Sequence, residues 1–584
     1  MFTIRFPEFS PKFVFTILSS TDTVSRQLPL FYLYIKPANE SAINFLQMGF
    51  SAVSLLILSI SWIILYIWIK WRKSKLKLFE NLGIPGPTPH FLYGNILELN
   101  QKGPRQCHVD WIAKYGKIVG FYHGMKPVLL VADADLLKKI FIKDFTLFCN
   151  RPEGVPLRVH SFLDYTIPAS AIMDNLLINL KGEHWKNVRS ILSSTFSANK
   201  LKGMIPAVNQ VCDSAISILE EKSRKEEVID ILNILQRLTL DIISAQAFAM
   251  NIDSLNDPDD PLLRSAKVIF DLPFSSKILF FGYIFPELGI LAMAINFLSM
   301  FIRNKGNIPP LKITKALDII IKQRRNNPNL KKPDLLQWLI DASDSEMDSQ
   351  KSKLSRNGDK LSKPSVLRRK KQFLTDTEIK SNSLVVFLAG LETTSSSLAF
   401  AFYFLAKYPD FQKKIQEEID LLLEKEDQLD YYNVGHFQPM ERFLMESMRF
   451  YPPAVNSVSR VSVAEVDFGH IRIPKGLEIH IPVEYIHHSN DFWERPEEFD
   501  PDRFLPGSTA KRHSCSYMAF GVGPRSCIGQ RLVNITAKII LAKILHKFTI
   551  ELAEPQKQLE CVVKVLTMVP NQVLVMLKPR LVSK

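Results

Sequence analysis

The first side chain that could carry chemistry is Cys527, in the decapeptide Phe520–Gly529 (Phe-Gly-Val-Gly-Pro-Arg-Ser-Cys-Ile-Gly). A free cysteine titrates at about 8.5, and a metal, amide donors and a helix N-terminus all favour its thiolate form. Gly523 and Gly529 let the backbone turn sharply and aim N–H groups at the sulfur. Residues 530–548 are apolar at helical spacing, which predicts a helix directly after the loop. The segment therefore predicts a stabilised, metal-ligating thiolate, with a structural cysteine in a glycine turn as the alternative.

A second group of reactive side chains lies at the centre of a long predicted helix. Thr375 and Glu378 form a capping box, and the helix should continue to about Lys407. Near its middle, Glu392 is followed by five consecutive hydroxyl residues that begin with Thr393. Such hydroxyls compete for backbone hydrogen bonds and are unfavourable inside a helix. A stretch of residues that is unfavourable in the helix predicted around it indicates a functional site, with a simple helix kink as the alternative.

These two segments resemble the cytochrome P-450 family. The loop has the form Phe-x-x-Gly-x-Arg-x-Cys-x-Gly of that family's haem-ligating segment, and the helix centre has its Ala-Gly-x-Glu-Thr-Thr oxygen-activation motif. The resemblance implies haem b with Cys527 as its axial thiolate ligand, Arg525 on a haem propionate and Phe520 beside the sulfur. It also implies that Glu392 and Thr393 deliver protons to dioxygen at the haem.

Two further matches concern the haem propionates. Trp185-Lys-Asn-Val-Arg189 has the family's Trp-x-x-x-Arg form, which places both side chains on one helical face. The resemblance assigns Trp185 and Arg189 to the propionates. Arg460 matches another propionate-binding arginine after a one-residue shift of the alignment. A Trp-x-x-x-Arg motif alone would indicate only a core tryptophan and a surface charge.

The same resemblance implies a structural role for a charged pair on a later helix. Glu446 and Arg449 lie three residues apart on one helical face, which alone would indicate a surface ion pair. The segment Phe499–Phe504 resembles the family's arginine-containing segment that completes a Glu-Arg-Arg triad. The resemblance implies that Glu446, Arg449 and Arg503 form a buried structural network. Asp502 replaces the commoner glutamate, a departure that we expect to be tolerated.

The N-terminal region predicts a membrane anchor. Residues 41–69 carry no formal charge, and 22 residues from Met48 to Ile69 would span about 33 Å. A basic cluster follows at once, which predicts a cytoplasmic flank. We expect a luminal extension over 1–44, a transmembrane helix over 45–69 and a basic, proline-rich linker over 70–89, in the endoplasmic reticulum membrane. A cleaved signal peptide, a mitochondrial presequence and a buried core helix are the alternatives.

The remainder, 90–584, is predicted to be one catalytic haem domain. Six widely spaced cysteines fit a reducing compartment. Residues 342–372 hold nine basic and four acidic residues, which predicts a disordered insertion and accounts for over a third of the +14 net charge. Overall basicity is therefore no argument for nucleic acid. The apolar run 278–302 predicts a membrane-facing cap over a substrate channel, with a buried helix pair as the alternative.

The resemblance implies a mainly α fold with small β-sheets and a monooxygenase reaction. One atom of dioxygen would enter an apolar small molecule of xenobiotic, steroid or fatty acid type, in a membrane lipid environment. Electrons would come from NADPH through a flavoprotein NADPH–cytochrome reductase, with cytochrome b5 as a further partner. The match extends from about Leu82 to the C-terminus and is closest to an animal microsomal clan of broad-specificity drug and steroid oxidases.

Two other functions stay open at this point. Thromboxane synthase lies near the same clan, so a haem-thiolate peroxide isomerase that needs neither reductase nor dioxygen is one rival. The intact Glu392–Thr393 pair argues against it, because that rearrangement needs no proton relay. The other rival is a non-enzymatic membrane haem protein, which would show no substrate-induced spin change.

Overall fold

The computed structural model describes residues 40–152, 168–270, 277–288, 309–344 and 373–580, with short gaps at 427, 456–457, 511, 557 and 565–566, together with scattered positions from 291 to 302. The predictions for residues 1–39 and for 345–372 of the insertion therefore lie outside the described residues.

A single long helix, Glu40–Lys75, precedes the catalytic body, which begins at Leu76. Its stretch Val53–Lys75 is apolar and long enough to cross a membrane, and its residues 53–67 are all exposed. Arg72, Lys73 and Lys75 occupy its last turn, where cations interact favourably with the helix dipole.

The body is mainly helical, which confirms the predicted fold class. Its α-helices are Leu78–Asn81, Ile96–Lys102, Pro104–Tyr115, Ala134–Lys138, Pro168–Asp174, Gly182–Thr195, Ala198–Arg224, Ile231–Phe248, Pro261–Phe270, Lys277–Ile284, Pro309–Asn326, 335–344, Asp376–Lys407, Pro409–Leu423, Gln438–Phe450, Val483–His487, Pro506–Ala510 and Gln530–Lys547.

Small sheets lie among these helices. The strands are β1 (Ile118–His123), β2 (Lys126–Val131), β3 (Ile229–Asp230), β4 (Arg460–Val461), β5 (Val466–Asp467), β6 (Arg472–Ile473), β7 (Glu478–His480), β8 (Phe548–Leu552), β9 (Cys561–Val563), β10 (Met568–Pro570) and β11 (Leu574–Pro579). The largest described sheet has the order β1-β2-β7-β4, in which only the β2–β7 pair is parallel. Strands β9 and β10 form an antiparallel pair, the C-terminal hairpin.

The helix Asp376–Lys407, the central helix, begins and ends as the sequence predicts. The Thr375 hydroxyl accepts from the Glu378 amide and the Glu378 carboxylate accepts from the Thr375 amide, so the capping box is complete. Most of the helix is buried, and it packs most extensively against Ile231–Phe248. Gly390 permits this approach, because a Cβ there would lie 2.0 Å from the Ile243 side chain.

The hydroxyl run does not interrupt the central helix. Ser395 donates to the Leu391 carbonyl at 2.9 Å and Ser397 donates to the Thr393 carbonyl at 2.7 Å. These two hydroxyls bond to the preceding turn and leave the backbone helical, so there the predicted competition is resolved locally. The predicted helix after Cys527 is likewise present as Gln530–Lys547, with buried residues such as Ile539 and Leu541 on its core face.

Candidate active site

The ligand loop, Phe520–Gly529, is a tight turn in front of the helix Gln530–Lys547. The Cys527 amide donates to the Phe520 carbonyl at 2.8 Å, and the Ser526 amide donates to the Gly523 carbonyl at 2.9 Å. Gly523 has φ +76°, and a Cβ at this position would lie 2.2 Å from the carbonyl oxygen of Phe141. Glycine is therefore required here by both conformation and space.

The surroundings of the Cys527 thiol act in opposite directions. Burial raises its pKa and dominates, whereas the amides of Gly529 and Gln530 and the guanidinium groups of Arg189 and Arg151 lower it. The net direction of the pKa is upward, and a metal ion bound to this sulfur would favour its thiolate form. Cys527 nevertheless keeps accessible surface. We conclude that the thiol faces an interior space rather than the outer surface of the body.

Four guanidinium groups, the arginine cluster, surround this region: Arg151, Arg189, Arg460 and Arg525. Burial and then repulsion within the cluster lower the pKa of Arg151, Arg460 and Arg525, and burial lowers that of Arg189. Among the described residues, no ion pair joins any of the four to a carboxylate. The Nε atoms of Arg151 and Arg460 are buried and have no hydrogen-bond partner there.

Buried like charges of this kind require an anionic partner. Haem b carries two propionate groups, and a guanidinium is the side chain best suited to bind a carboxylate. The donor set of the arginine cluster therefore fits haem b, and Cys527 in the same region supplies a sulfur ligand of the type that iron accepts.

Arg525 itself is engaged mainly by backbone carbonyl groups. Its Nε donates to the Cys149 carbonyl at 2.7 Å and its Nη2 to the Leu180 carbonyl at 2.6 Å. Its guanidinium also lies over the Trp185 ring, 4.2 Å from the centroid. In the described structure, Arg525 and Trp185 therefore tie the ligand loop to the segment before the helix Gly182–Thr195; their predicted contact with propionates stays a prediction.

Two other members of the arginine cluster bind the ligand loop directly. Arg189 donates from Nη2 to the Ser526 carbonyl at 2.8 Å, and Arg151 donates from Nη2 to the Arg525 carbonyl at 3.2 Å. Both carbonyls belong to residues that immediately precede Cys527. The same groups that lower the pKa of the thiol thus also fix the backbone that presents it.

The structure brings together Glu446, Arg449 and Arg503. Arg449 forms a bidentate pair with Glu446, at 2.7 and 2.8 Å, and Arg503 lies 3.4 Å from the same carboxylate. The Asp500 amide also donates to Glu446 at 2.9 Å. Glu446 and Arg449 are fully buried, so the pair is far from the exposed type that contributes little.

Asp502, the departure from the family pattern, lies outside this network. It is mostly exposed and approaches Arg442 at 3.7 Å. An aspartate in place of a glutamate here changes a surface contact and leaves the buried carboxylate of Glu446 untouched.

On the central helix, Glu392 and Thr393 have different partners. The Thr393 hydroxyl donates to the Ala389 carbonyl at 2.5 Å. Glu392 is buried, and its carboxylate accepts from Lys564 at 2.5 Å and from Thr567 at 3.2 Å. Since successive residues on a helix point about 100° apart, the structure does not bring the two predicted proton-transfer groups together.

A cavity of about 350 Å³ lies where Glu392 meets the C-terminal hairpin. Its wall includes polar and charged side chains from four elements of the body. These include Asp230, Asn233, Gln236, Lys267, Lys564 and Asn571. The carboxylate of Glu392 is thus adjacent to a space with both apolar and polar walls, of a size that can hold several water molecules.

Sequence reasoning missed Arg151, Lys564 and Thr567. Arg151 meets the ligand loop across 374 residues of sequence, and Lys564 meets Glu392 across 172. Neither residue lies in a motif whose spacing indicates a site. A lone charge in a loop or turn carries no signal of a distant partner, so only the folded arrangement shows these contacts.

Comparison with known proteins gives the class. The family model described as Cytochrome P450 matches residues 84–576, and the chain belongs to the cytochrome P450 family. It is a P450 monooxygenase, and the family binds haem b through a cysteine thiolate.

Individual members of the family can be aligned with this chain over most of their length. The chain is 32% identical over 503 residues to Cytochrome P450 3A41 of Mus musculus, covering 86% of this chain and 92% of that protein. It is 32% identical over 499 residues to Cytochrome P450 3A5 of Homo sapiens, covering 85% and 90%. With Cytochrome P450 3A29 of Sus scrofa it shares 30% identity over 540 residues, covering 91% and 98%.

Proposed function

We propose that the protein inserts one atom of dioxygen into an apolar small molecule of xenobiotic, steroid or fatty acid type. The second oxygen atom leaves as water, and electrons come from NADPH through a flavoprotein reductase. The observation that carries this proposal is the Cys527 thiol, which faces an interior space at a helix N-terminus and beside the arginine cluster. Similarity to the Cytochrome P450 3A proteins supports the substrate class.

The residues of the proximal side hold the cofactor in this proposal. Haem b, when bound, supplies the iron at which dioxygen is activated. Cys527 would supply the sulfur that ligates the iron, and the amides of Gly529 and Gln530 would stabilise the thiolate. Arg151, Arg189 and Arg460, whose charges meet no described carboxylate, would bind the propionates.

The central helix supplies protons. Glu392 takes protons from water in the adjacent cavity, and Thr393 orients them towards the reaction centre with its hydroxyl. Rotation of the Glu392 side chain is needed, because its carboxylate is bound to Lys564 and Thr567. The ion pair with Lys564 therefore controls how readily the carboxylate takes part.

The membrane provides the second environment of the protein. We place the helix Glu40–Lys75 in the endoplasmic reticulum membrane, with the N-terminus in the lumen and the body in the cytoplasm. A stripe of apolar side chains that are 44–65% exposed recurs every three or four residues after the helix Lys277–Ile284, as expected for a cap that contacts lipid. The stripe consists of Leu288, Leu291, Ile295, Leu298 and Ile302.

The reductase would dock near the ligand loop. Lys186 and Arg531 are exposed on helices that flank Cys527 in space, and an acidic partner surface would be steered to them. Cytochrome b5, which is also acidic at its docking face, would use the same side.

Spectroscopy and turnover test the proposal together. The reduced protein with carbon monoxide should show the absorption band of a thiolate-ligated haem, and ¹⁸O from dioxygen should enter product only with NADPH and reductase. Conversion of an organic hydroperoxide without reductase, with no incorporation from dioxygen, would identify a peroxide isomerase instead. Absence of any substrate-induced spin change over a broad apolar library would favour a non-enzymatic haem protein.

A further inference from the structure

His487 ends the short helix Val483–His487 and is fully buried. Its imidazole bonds on both sides. Nδ1 lies 3.1 Å from the Arg449 carbonyl oxygen, and Nε2 lies 2.9 Å from the Met518 amide nitrogen. The backbone carbonyl of His487 also accepts from Arg449 Nη1 at 2.6 Å.

These partners fix the protonation state of the ring. A carbonyl oxygen can only accept, so Nδ1 carries the proton; a backbone amide can only donate, so Nε2 is the bare nitrogen. Burial, with the charges of His488 and Arg449, lowers the pKa of His487 to about 3. The ring is therefore neutral near neutral pH, in the single tautomer that satisfies both bonds.

The two partners of His487 belong to different parts of the proximal side. Arg449 is the member of the buried triad that holds Glu446. Met518 stands two residues before the ligand loop, and its carbonyl accepts from the Gly521 amide at 2.8 Å. Tyr517, next to Met518, stacks on the imidazole with an interplanar angle of 9°.

We propose that His487 is a positioning residue, which transmits the order of the triad to the ligand loop and so sets the position of the Cys527 sulfur. It touches neither cofactor nor substrate. The route runs from Arg449 through the imidazole to Met518, then through the loop turn to the Cys527 amide, which is bonded to Phe520. This inference rests on the proposal that Cys527 ligates the haem iron.

Three variants separate positioning from simple packing. In His487→Gln, the amide group can donate to the Arg449 carbonyl and accept from the Met518 amide, whereas His487→Leu fills space but does neither. His488→Leu is the matched control: His488 ends the same turn and bonds to Phe450 and Glu497, and none of its described contacts reaches the ligand loop.

Two readouts apply to folded, haem-containing protein, and a third needs no haem. Loss of an acceptor for a buried amide should make hydrogen exchange at Met518 about tenfold faster in His487→Leu apoprotein. In the reduced carbon monoxide complex, the fraction with the thiolate-type band should fall at least about threefold, and the haem midpoint potential should shift. His487→Gln and His488→Leu should resemble the wild type in all three.

The outcomes are distinguishable. If His487→Leu keeps the wild-type thiolate band, potential and Met518 exchange, His487 does not position the loop. If His487→Leu and His488→Leu change them equally, packing of the helix end is the cause and the inference fails. If the wild type itself lacks the thiolate band, the proposed function fails first, independently of His487.

Discussion

The two sides of the proposed haem site are held in different ways. On the proximal side, which comprises the ligand loop, the arginine cluster and the triad, the functional groups are fixed largely by backbone atoms: Arg525 donates to the carbonyls of Cys149 and Leu180. On the distal side, which comprises Glu392, Thr393 and the C-terminal hairpin, Glu392 is held by the side chains of Lys564 and Thr567.

This difference indicates that the functional groups of the distal side can move more than those of the proximal side. Backbone carbonyls cannot be changed by mutation and move little, which suits a ligand that must keep one geometry. A carboxylate held by a flexible lysine can exchange partners, which suits a group that must move a proton. The comparison predicts that proximal changes abolish cofactor binding, whereas distal changes leave the cofactor in place and alter the reaction.

The most severe test is Cys527→Ser. A serine hydroxyl cannot replace a thiolate as the iron ligand, so the thiolate-type band of the reduced carbon monoxide complex should disappear and turnover should fall to background. Cys149→Ser is the control, because that thiol lies near the arginine cluster but its carbonyl, not its sulfur, binds Arg525. An unchanged band in Cys527→Ser would show that Cys527 is not the iron ligand, and the comparison of the two sides would no longer hold.

The second largest effect is expected from a substitution in the triad of Glu446, Arg449 and Arg503. Glu446→Gln leaves Arg449 and Arg503 buried without their carboxylate, which should lower the free energy of unfolding by about 3–5 kcal/mol and reduce haem content. Denaturant unfolding and pyridine haem assays measure both. As the control, Glu465→Gln breaks an exposed pair with Arg472 and should cost under about 1 kcal/mol; equal losses would show that the triad has no special role.

On the distal side, we expect a substitution to lower the rate of product formation without changing the absorption spectrum. Glu392→Gln should keep the wild-type carbon monoxide band, since the residue lies away from the sulfur, but should lower product formation by about 10²-fold. Hydrogen peroxide should rise per NADPH consumed. A variant with normal turnover would show that protons reach the reaction by another route.

A smaller effect is expected from the partner of Glu392. Lys564→Met removes a charge-assisted hydrogen bond, and the less ordered carboxylate should lower product per NADPH by at most roughly tenfold. Lys564→Arg should restore most of it, because a guanidinium can bind the same carboxylate. If both variants behave like Glu392→Gln, the lysine is itself required for proton delivery.

The smallest expected effect is on acid stability. His487 has a folded pKa near 3 against an ordinary value of 6.5, so its contribution is complete above 6.5 and is lost as the pH falls towards 3. Between pH 6.5 and 5.5, the wild type should lose about 1 kcal/mol more of its unfolding free energy than His487→Gln. The charged or titratable neighbours are His488, Arg449 and Tyr517. Of these only His488 can gain a proton in this pH range, so no difference between the two proteins would place the proton on His488.

The proximal side was more predictable from sequence than the distal side, and for a physical reason. The ligand loop and the helix after it are contiguous, so glycine placement, amide donors and the helix start can be inferred from ten residues. The bounds of the central helix follow from its capping box. The position of the Glu392 carboxylate depends on Lys564, in a hairpin whose docking no local pattern specifies, and the pairing of Gly390 with Ile243 depends on a helix crossing.

On the proximal side too, the sequence identifies residues that lie in recognisable motifs and misses residues whose contacts depend on distant segments. Arg189 and Arg460 lie in segments that resemble known motifs, and the structure places Arg189 near Cys527 and Arg460 near Arg151 and Arg525. Arg151 and His487 lie outside any such motif, and their contacts with Arg525 and Met518 appear only once distant segments are packed.

The bonds made by Arg525 also constrain when the protein can mature. Its guanidinium joins carbonyls of Cys149 and Leu180, which are separated from it by 376 and 345 positions. A ribosome makes the chain from the N-terminus, so both carbonyls are synthesised at least 345 residues before their donor exists. Stable cofactor insertion is therefore expected only after Arg525 has been made, and a chain truncated before Arg525 should retain no haem.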